Sequence, residues 1–133
     1  FRVSDPDADF IREDMTIFRA VPGLFLKEPN EQRGIHCRFG MKGVIAEAHF
    51  DSSRNMVALL YGSRRWILAH PHECHNCYLL PPKHPSGRHS EVDWSKPDVK
   101  QYPLFDRMQG HEVILTPGDL LYVPAYWIHY IVN

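Results

Sequence analysis

Between residues 35 and 69, short apolar runs alternate with turn residues. Ile35 to Phe39, Gly43 to Phe50, Asn55 to Tyr61 and Arg65 to Ala69 each have strand length and are rich in Val, Ile, Leu and aromatic residues. Gly40, Gly43 and Gly62-Ser63 punctuate them. The pattern returns with Glu112 to Thr116, Leu120 to Val123 and Trp127 to Val132. Pro117-Gly118, between the first two of these, fits the central positions of a type II turn, with glycine supplying the positive φ. The interval from about His70 to Gly110 carries Pro71, Pro81, Pro82, Pro85, Pro97 and Pro103 and keeps no period of 2 or 3.6. At the start of the chain, Asp5-Pro6-Asp7 reads as a turn and Ala8 to Arg19 as at best a weak helix. Many short strands, tight turns and almost no helix predict an all-β fold, an antiparallel sandwich or barrel. Cys37 is expected to be a small buried residue on its strand.

Composition narrows this picture. A chain of 133 residues fits one domain. Area scaling lets such a chain bury about two-thirds of its unfolded surface. The 11 prolines exclude a helical bundle, since each interior proline would cost a helix about 3 kcal/mol. Fifteen Lys plus Arg against 16 Asp plus Glu leave a net charge of −1. That balance gives no pull toward nucleic acid or acidic membranes, and no apolar run approaches the ~20 residues that span a bilayer. Three cysteines, an odd number, make no complete disulfide framework and favour a reducing, intracellular compartment, cytoplasmic or nuclear. The chain begins at Phe1, which reads as a piece of a longer protein whose targeting signals would lie outside it.

The candidate chemistry starts at His49-Phe50-Asp51. Residues i and i+2 on a strand project from one face, so imidazole and carboxylate can grip one ion together. Two His and one carboxylate, with three positions open, form the ligand set of non-haem Fe(II) oxygenases. Alone the triplet carries little weight, because His89-Ser90-Glu91 repeats it. Its company carries more. Asn55 follows His49 by six residues, Gly62 by thirteen and Arg64 by fifteen, with Trp66 and Leu68 continuing at period 2. Eighty residues beyond His49 comes His129, within Pro117-Gly118-Asp119-Leu120-Leu121-Tyr122-Val123-Pro124-Ala125-Tyr126-Trp127-Ile128-His129.

In these blocks, in His84-Pro85-Ser86-Gly87-Arg88-His89-Ser90-Glu91-Val92-Asp93, and in Pro97-Asp98 and Tyr102-Pro103-Leu104-Phe105, the chain resembles JmjC domains. These are the cupin-like Fe(II)- and 2-oxoglutarate-dependent oxygenases, and the resemblance is nearest to small protein hydroxylases of the factor-inhibiting-HIF type. It implies a double-stranded β-helix, or jelly roll, over residues 31–133 with a lead-in over 1–30. The strand closing the barrel is expected beyond Asn133.

Position by position, the resemblance makes His49, Asp51 and His129 the iron ligands and catalytic centre. Asn55 matches an asparagine near the cosubstrate. Arg64 stands where relatives usually place a lysine on the distal carboxylate of 2-oxoglutarate. Arginine can hold a carboxylate through a two-pronged hydrogen bond. Ala46 replaces a hydroxyl residue that touches the cosubstrate in several relatives. Arg88 matches a substrate-contacting arginine, and His89 stands where the asparaginyl hydroxylase uses glutamine.

The implied reaction consumes O₂ and 2-oxoglutarate, releases succinate and CO₂, and hydroxylates a protein or peptide side chain. A tRNA base or methylated lysine is an alternative substrate. A catalytically silent metal-binding scaffold is a second reading, supported by Ala46 and Arg64, and a non-oxidative cupin enzyme such as a sugar isomerase is a third. A homodimer would use segments outside this chain. His70, His72, Cys74, His75 and Cys77 crowd eight residues, but zinc needs four closed ligands. No second pair follows at zinc-finger spacing, so a loop with two free thiols is expected.

Overall fold

In the computed structural model, residues 2–3 and 35–133 are described. The expected turn at Asp5-Pro6-Asp7 and weak helix over 8–19 lie outside them. The chain divides into two compact units, Phe1–Gly40 and Met41–Asn133. In the first, β1 (Arg2–Val3) pairs antiparallel with β2 (Ile35–His36). The strand expected from Ile35 to Phe39 therefore ends early, and Cys37 follows it half-buried rather than buried.

Six strands build the second unit: β3 (Ile45–Phe50), β4 (Asn55–Ala58), β5 (Arg64–Ala69), β6 (Gly110–Leu115), β7 (Leu120–Val123) and β8 (Ile128–Val132). Their pairing is nested and antiparallel: β5 with β6, β4 with β7, β3 with β8. The chain thus runs out along three strands, reverses between β5 and β6, and returns beside itself. That is the double-stranded β-helix. A further β5–β8 pairing completes a four-stranded sheet, β3-β8-β5-β6, against the two-stranded β4-β7. Among the described residues there is no α-helix, and no helix is long and apolar enough to cross a membrane.

Alternation along the strands sends side chains to two cores. Trp66, Leu68, Leu115, Val123 and Leu59 pack between the sheets, with Val57, Val113, Leu121, Trp127 and Ile131 around them. Burying a Leu or Val side chain in this way contributes about 1.5–3 kcal/mol. Ala48, Ala69, Ile128 and Tyr130 face the other way and are covered by the irregular segment, which supplies Cys77, Val92 and Trp94. The Pro117-Gly118 turn forms as the sequence implies. Gly118 has φ +96°, and the Asp119 amide donates to the Thr116 carbonyl at 3.0 Å.

The irregular segment is held by single hydrogen bonds rather than a ladder. Pro71–Cys74 forms a 3₁₀ turn. The Ser90 hydroxyl donates to the Cys77 carbonyl at 2.7 Å and accepts from the Val92 amide at 3.1 Å and Trp94 Nε1 at 3.0 Å. Glu73 is buried, accepting from Asn76 Nδ2 at 2.7 Å and facing His72 at 3.2 Å. The Asn76 bond is the main cause that holds its carboxyl below the usual range, against the opposing effect of burial.

Candidate metal centre

One irregularity in β3 sets the position of His49. Ala46 lies opposite Ile131 and His49 opposite His129, so three steps on β3 match two on β8. Cross-strand partners share a face, and Ile131 and His129 are two residues apart on one strand. The extra residue, a β-bulge, therefore returns both Ala46 and His49 to the inter-sheet side. With strict alternation, His49 would point to the opposite face from Ala46. Two histidines eighty residues apart in sequence end up side by side, with ring centroids 4.4 Å apart.

Each ring is oriented by a backbone carbonyl. His49 Nδ1 lies 2.6 Å from the Glu47 carbonyl, and His129 Nδ1 lies 3.0 Å from the Trp127 carbonyl. A proton on Nδ1 satisfies both bonds and leaves each Nε2 with a free lone pair, the form that binds a metal. Both Nε2 atoms face Asp51: His49 Nε2 is 4.0 Å from Oδ1 and His129 Nε2 is 3.8 Å from Oδ2. Burial pushes the His129 pKa down, with the bond to the Trp127 carbonyl opposing and nearby His49 assisting. This favours the neutral imidazole. Trp66 packs on the His129 ring at 5.6 Å.

One donor atom from each of His49, Asp51 and His129 lies within 4.8 Å of the others, the one such group of three among the described residues. Ligands at about 2.1 Å on adjacent positions of one ion stand roughly 3 Å apart. The cluster is wider than that, with each Nε2 3.8–4.0 Å from its nearest Asp51 oxygen. Two neutral imidazoles and a carboxylate suit a divalent transition ion.

The other expected site residues fall around this cluster in different ways. Asn55, the first residue of β4, reaches Asp51 Oδ2 with its Nδ2 at 3.4 Å. Arg64 shares the β5 face of the buried Trp66 and Leu68, and its Nε is shielded from solvent. Arg65 points outward to Glu112. Arg88 donates to Asp51 Oδ1 at 2.7 Å. His89 stacks on His49 at 5.2 Å. Cys74 is exposed and Cys77 buried, both free thiols. Sequence reading missed the Glu47 and Trp127 carbonyls, and the Tyr126 amide that donates to the Asp51 carbonyl at 2.8 Å. Backbone partners have no residue-type signal, so nothing in the pattern could have revealed them.

A nested double-stranded β-helix carrying two histidines and an aspartate that could hold one metal ion is a cupin architecture. A family model described as a cupin-like domain matches residues 9–133, and the chain belongs to that family. It is 36% identical over 110 residues to tRNA wybutosine-synthesizing protein 5 of Danio rerio, covering 82% of this chain and 31% of that protein. It is 33% identical over 95 residues to Jumonji C domain-containing protein 5 of Drosophila melanogaster, covering 69% and 23% respectively. It is 35% identical over 96 residues to human HSPB1-associated protein 1, covering 69% and 19%. The chain thus spans less than a third of the length of these relatives.

Proposed function

We propose that this domain is an Fe(II)- and 2-oxoglutarate-dependent oxygenase that hydroxylates a protein side chain. The observation that carries the reading is the convergence of His49, Asp51 and His129 on one point inside the β-helix. When bound, iron and 2-oxoglutarate supply the oxidising chemistry, yielding succinate and CO₂ as O₂ is consumed. The chain's own residues hold and shield that chemistry. His49, Asp51 and His129 would hold the ion, and as three ligands they would leave it able to take cosubstrate and O₂. Trp66 Nε1 is a buried donor with no protein acceptor among the described residues. With Arg64 on the same face of β5, it suits an anionic molecule beside the cluster. Trp66 and Trp127 wall the inter-sheet space and exclude water from it.

Succinate release, measured with iron, ascorbate and 2-oxoglutarate, tests the oxygenase reading without knowledge of the substrate. Asp51→Ala removes the only anionic ligand and is expected to abolish release. Wild-type turnover in that variant overturns the iron assignment. Absence of turnover in a wild-type protein that still binds metal favours a silent scaffold, the reading that Ala46 and Arg64 in place of the usual hydroxyl and lysine support. The similarity to a tRNA wybutosine-synthesizing protein favours a tRNA base as second substrate reading. The net charge of −1 weighs against it. Coupled turnover with a peptide library against total tRNA separates the two.

A further inference from the structure

We infer that Arg88 is a positioning residue of the candidate metal centre, gripping Asp51 Oδ1 so that the carboxylate stays turned toward the histidines, with Oδ2 facing His129. The inference rests on the metal-site reading of His49, Asp51 and His129 and deepens it. Arg88 Nη1 lies 2.7 Å from Asp51 Oδ1 and 3.0 Å from the Phe50 carbonyl, so one nitrogen grips both the side chain and the backbone beside it. The other carboxylate oxygen, Oδ2, is left toward Asn55 Nδ2 at 3.4 Å and His129 Nε2 at 3.8 Å. A charge-assisted bond of this length is among the stronger hydrogen bonds a carboxylate makes.

The backbone is arranged to present this side chain. Arg88 has φ +77°, a left-handed conformation that residues with a Cβ seldom adopt. Beside it, Gly87 sits in a turn so tight that a Cβ would lie 2.9 Å from the Pro82 carbonyl oxygen and 3.0 Å from those of Pro81 and His84. On either side of His89 the backbone is tied to the free edge of β3. The Phe50 amide donates to the Arg88 carbonyl at 3.1 Å, and the Ser90 amide donates to the Ala48 carbonyl at 2.8 Å. The guanidinium is therefore fixed at both ends, by its anchored backbone and by its grip on Asp51. An ordinary surface arginine has neither constraint. Strained backbone of this kind collects at functional sites.

Removing the guanidinium has two opposed effects on a bound cation. It frees Asp51 to rotate, which weakens binding, and it removes a positive charge beside the ion, which strengthens it. Positioning predicts that the first dominates, on the scale of 10–100-fold typical for partners of metal ligands. The test titrates Mn(II), anaerobically and by calorimetry, into the full-length protein carrying Arg88→Asn, Arg88→Lys or Asp51→Ala. Asparagine tolerates a left-handed backbone, so Arg88→Asn is expected to keep the fold and to lose from metal-free stability only what a partly exposed pair contributes. Its Mn(II) affinity is expected to fall roughly 10–100-fold. Arg88→Lys keeps the charge and one donor and is expected to lose less. A large loss of Mn(II) affinity with little change in the metal-free melting temperature is a split that a merely structural residue would not produce. Unchanged or tighter Mn(II) binding by Arg88→Asn overturns the inference while leaving the metal site standing. No Mn(II) binding by wild type, or wild-type binding by Asp51→Ala, overturns the metal-site reading and the inference with it.

Discussion

The strand sandwich and the proline-rich segment between β5 and β6 build cores of similar character by different means. In the sandwich, alternation along β5 and β8 sends Trp66, Leu68 and Ile131 inward, and ladder bonds satisfy the backbone. In the segment no period exists, yet Cys77, Val92 and Trp94 are as buried as the sandwich residues. Scattered turn and loop bonds between backbone groups, helped by the Ser90 hydroxyl and the Glu73 carboxylate, satisfy its polar groups one at a time. The two regions meet at the candidate metal site. The sandwich supplies His49 and His129, while the segment supplies Arg88 and His89, which touch Asp51 and His49. Lack of periodicity therefore says how a region satisfies its backbone, and not whether it belongs to the core or the site.

The strongest challenge to this equivalence is truncation of one tryptophan in each region. Trp66→Ala and Trp94→Ala are each expected to cost about 3–5 kcal/mol in denaturant unfolding. If Trp94→Ala cost under about 1 kcal/mol, the segment would be a covering loop and not a second core. Within the sandwich, the two faces of β5 offer the next contrast. Arg64→Leu is expected to weaken 2-oxoglutarate binding by roughly 2–5 kcal/mol, the scale for one member of a buried, hydrogen-bonded charge pair. Arg65→Leu removes only an exposed pair with Glu112, worth about 0–1 kcal/mol. Calorimetry with an inert divalent ion in place of iron measures both. Equal losses would mean that the cosubstrate does not lie on the inter-sheet face.

A pH titration of metal-free stability separates the regions by sign and window. His129 has a lowered pKa, so near neutrality it is unprotonated in both states, and its cost appears as pH falls below the unfolded value of about 6.5. The unfolded chain then binds the proton first, and stability falls. Glu73 also has a lowered pKa, but its contribution is fully present above the ordinary carboxyl value of 4.5 and is lost as pH falls from there through its folded value. His129→Gln is expected to flatten the curve near pH 6 and Glu73→Gln the curve below about pH 4.5. If either substitution altered the other's window, the two groups would be coupled across the sheet. The smallest effect concerns the paired thiols. Burial pushes Cys77 up to about 12, whereas Cys74 is exposed. One equivalent of an alkylating reagent at pH 8 is expected to label Cys74 and leave Cys77 unmodified, as located by peptide mass spectrometry.

The sequence by itself determined what depends on near neighbours. Period-2 alternation located β3 to β8 to within a few residues, and Pro117-Gly118 specified its turn because only glycine takes positive φ freely. Parity along β5 put Arg64 with Trp66 and Leu68, away from Arg65. The i, i+2 spacing brought His49 and Asp51 within reach of each other. β4 was legible only in part. It ends at Ala58 rather than Tyr61, because the partner strand β7 begins at Leu120, opposite Ala58. Tertiary structure decided what depends on distant partners. The bulge between Ala46 and His49 exists only against β8, and without that register the face of His49 is undetermined. The burial that lowers the His129 pKa and the approach of Arg88 to Asp51 come from segments brought together by folding. Local pattern encodes backbone conformation and facing. Convergence of side chains from three separated stretches requires the closed fold.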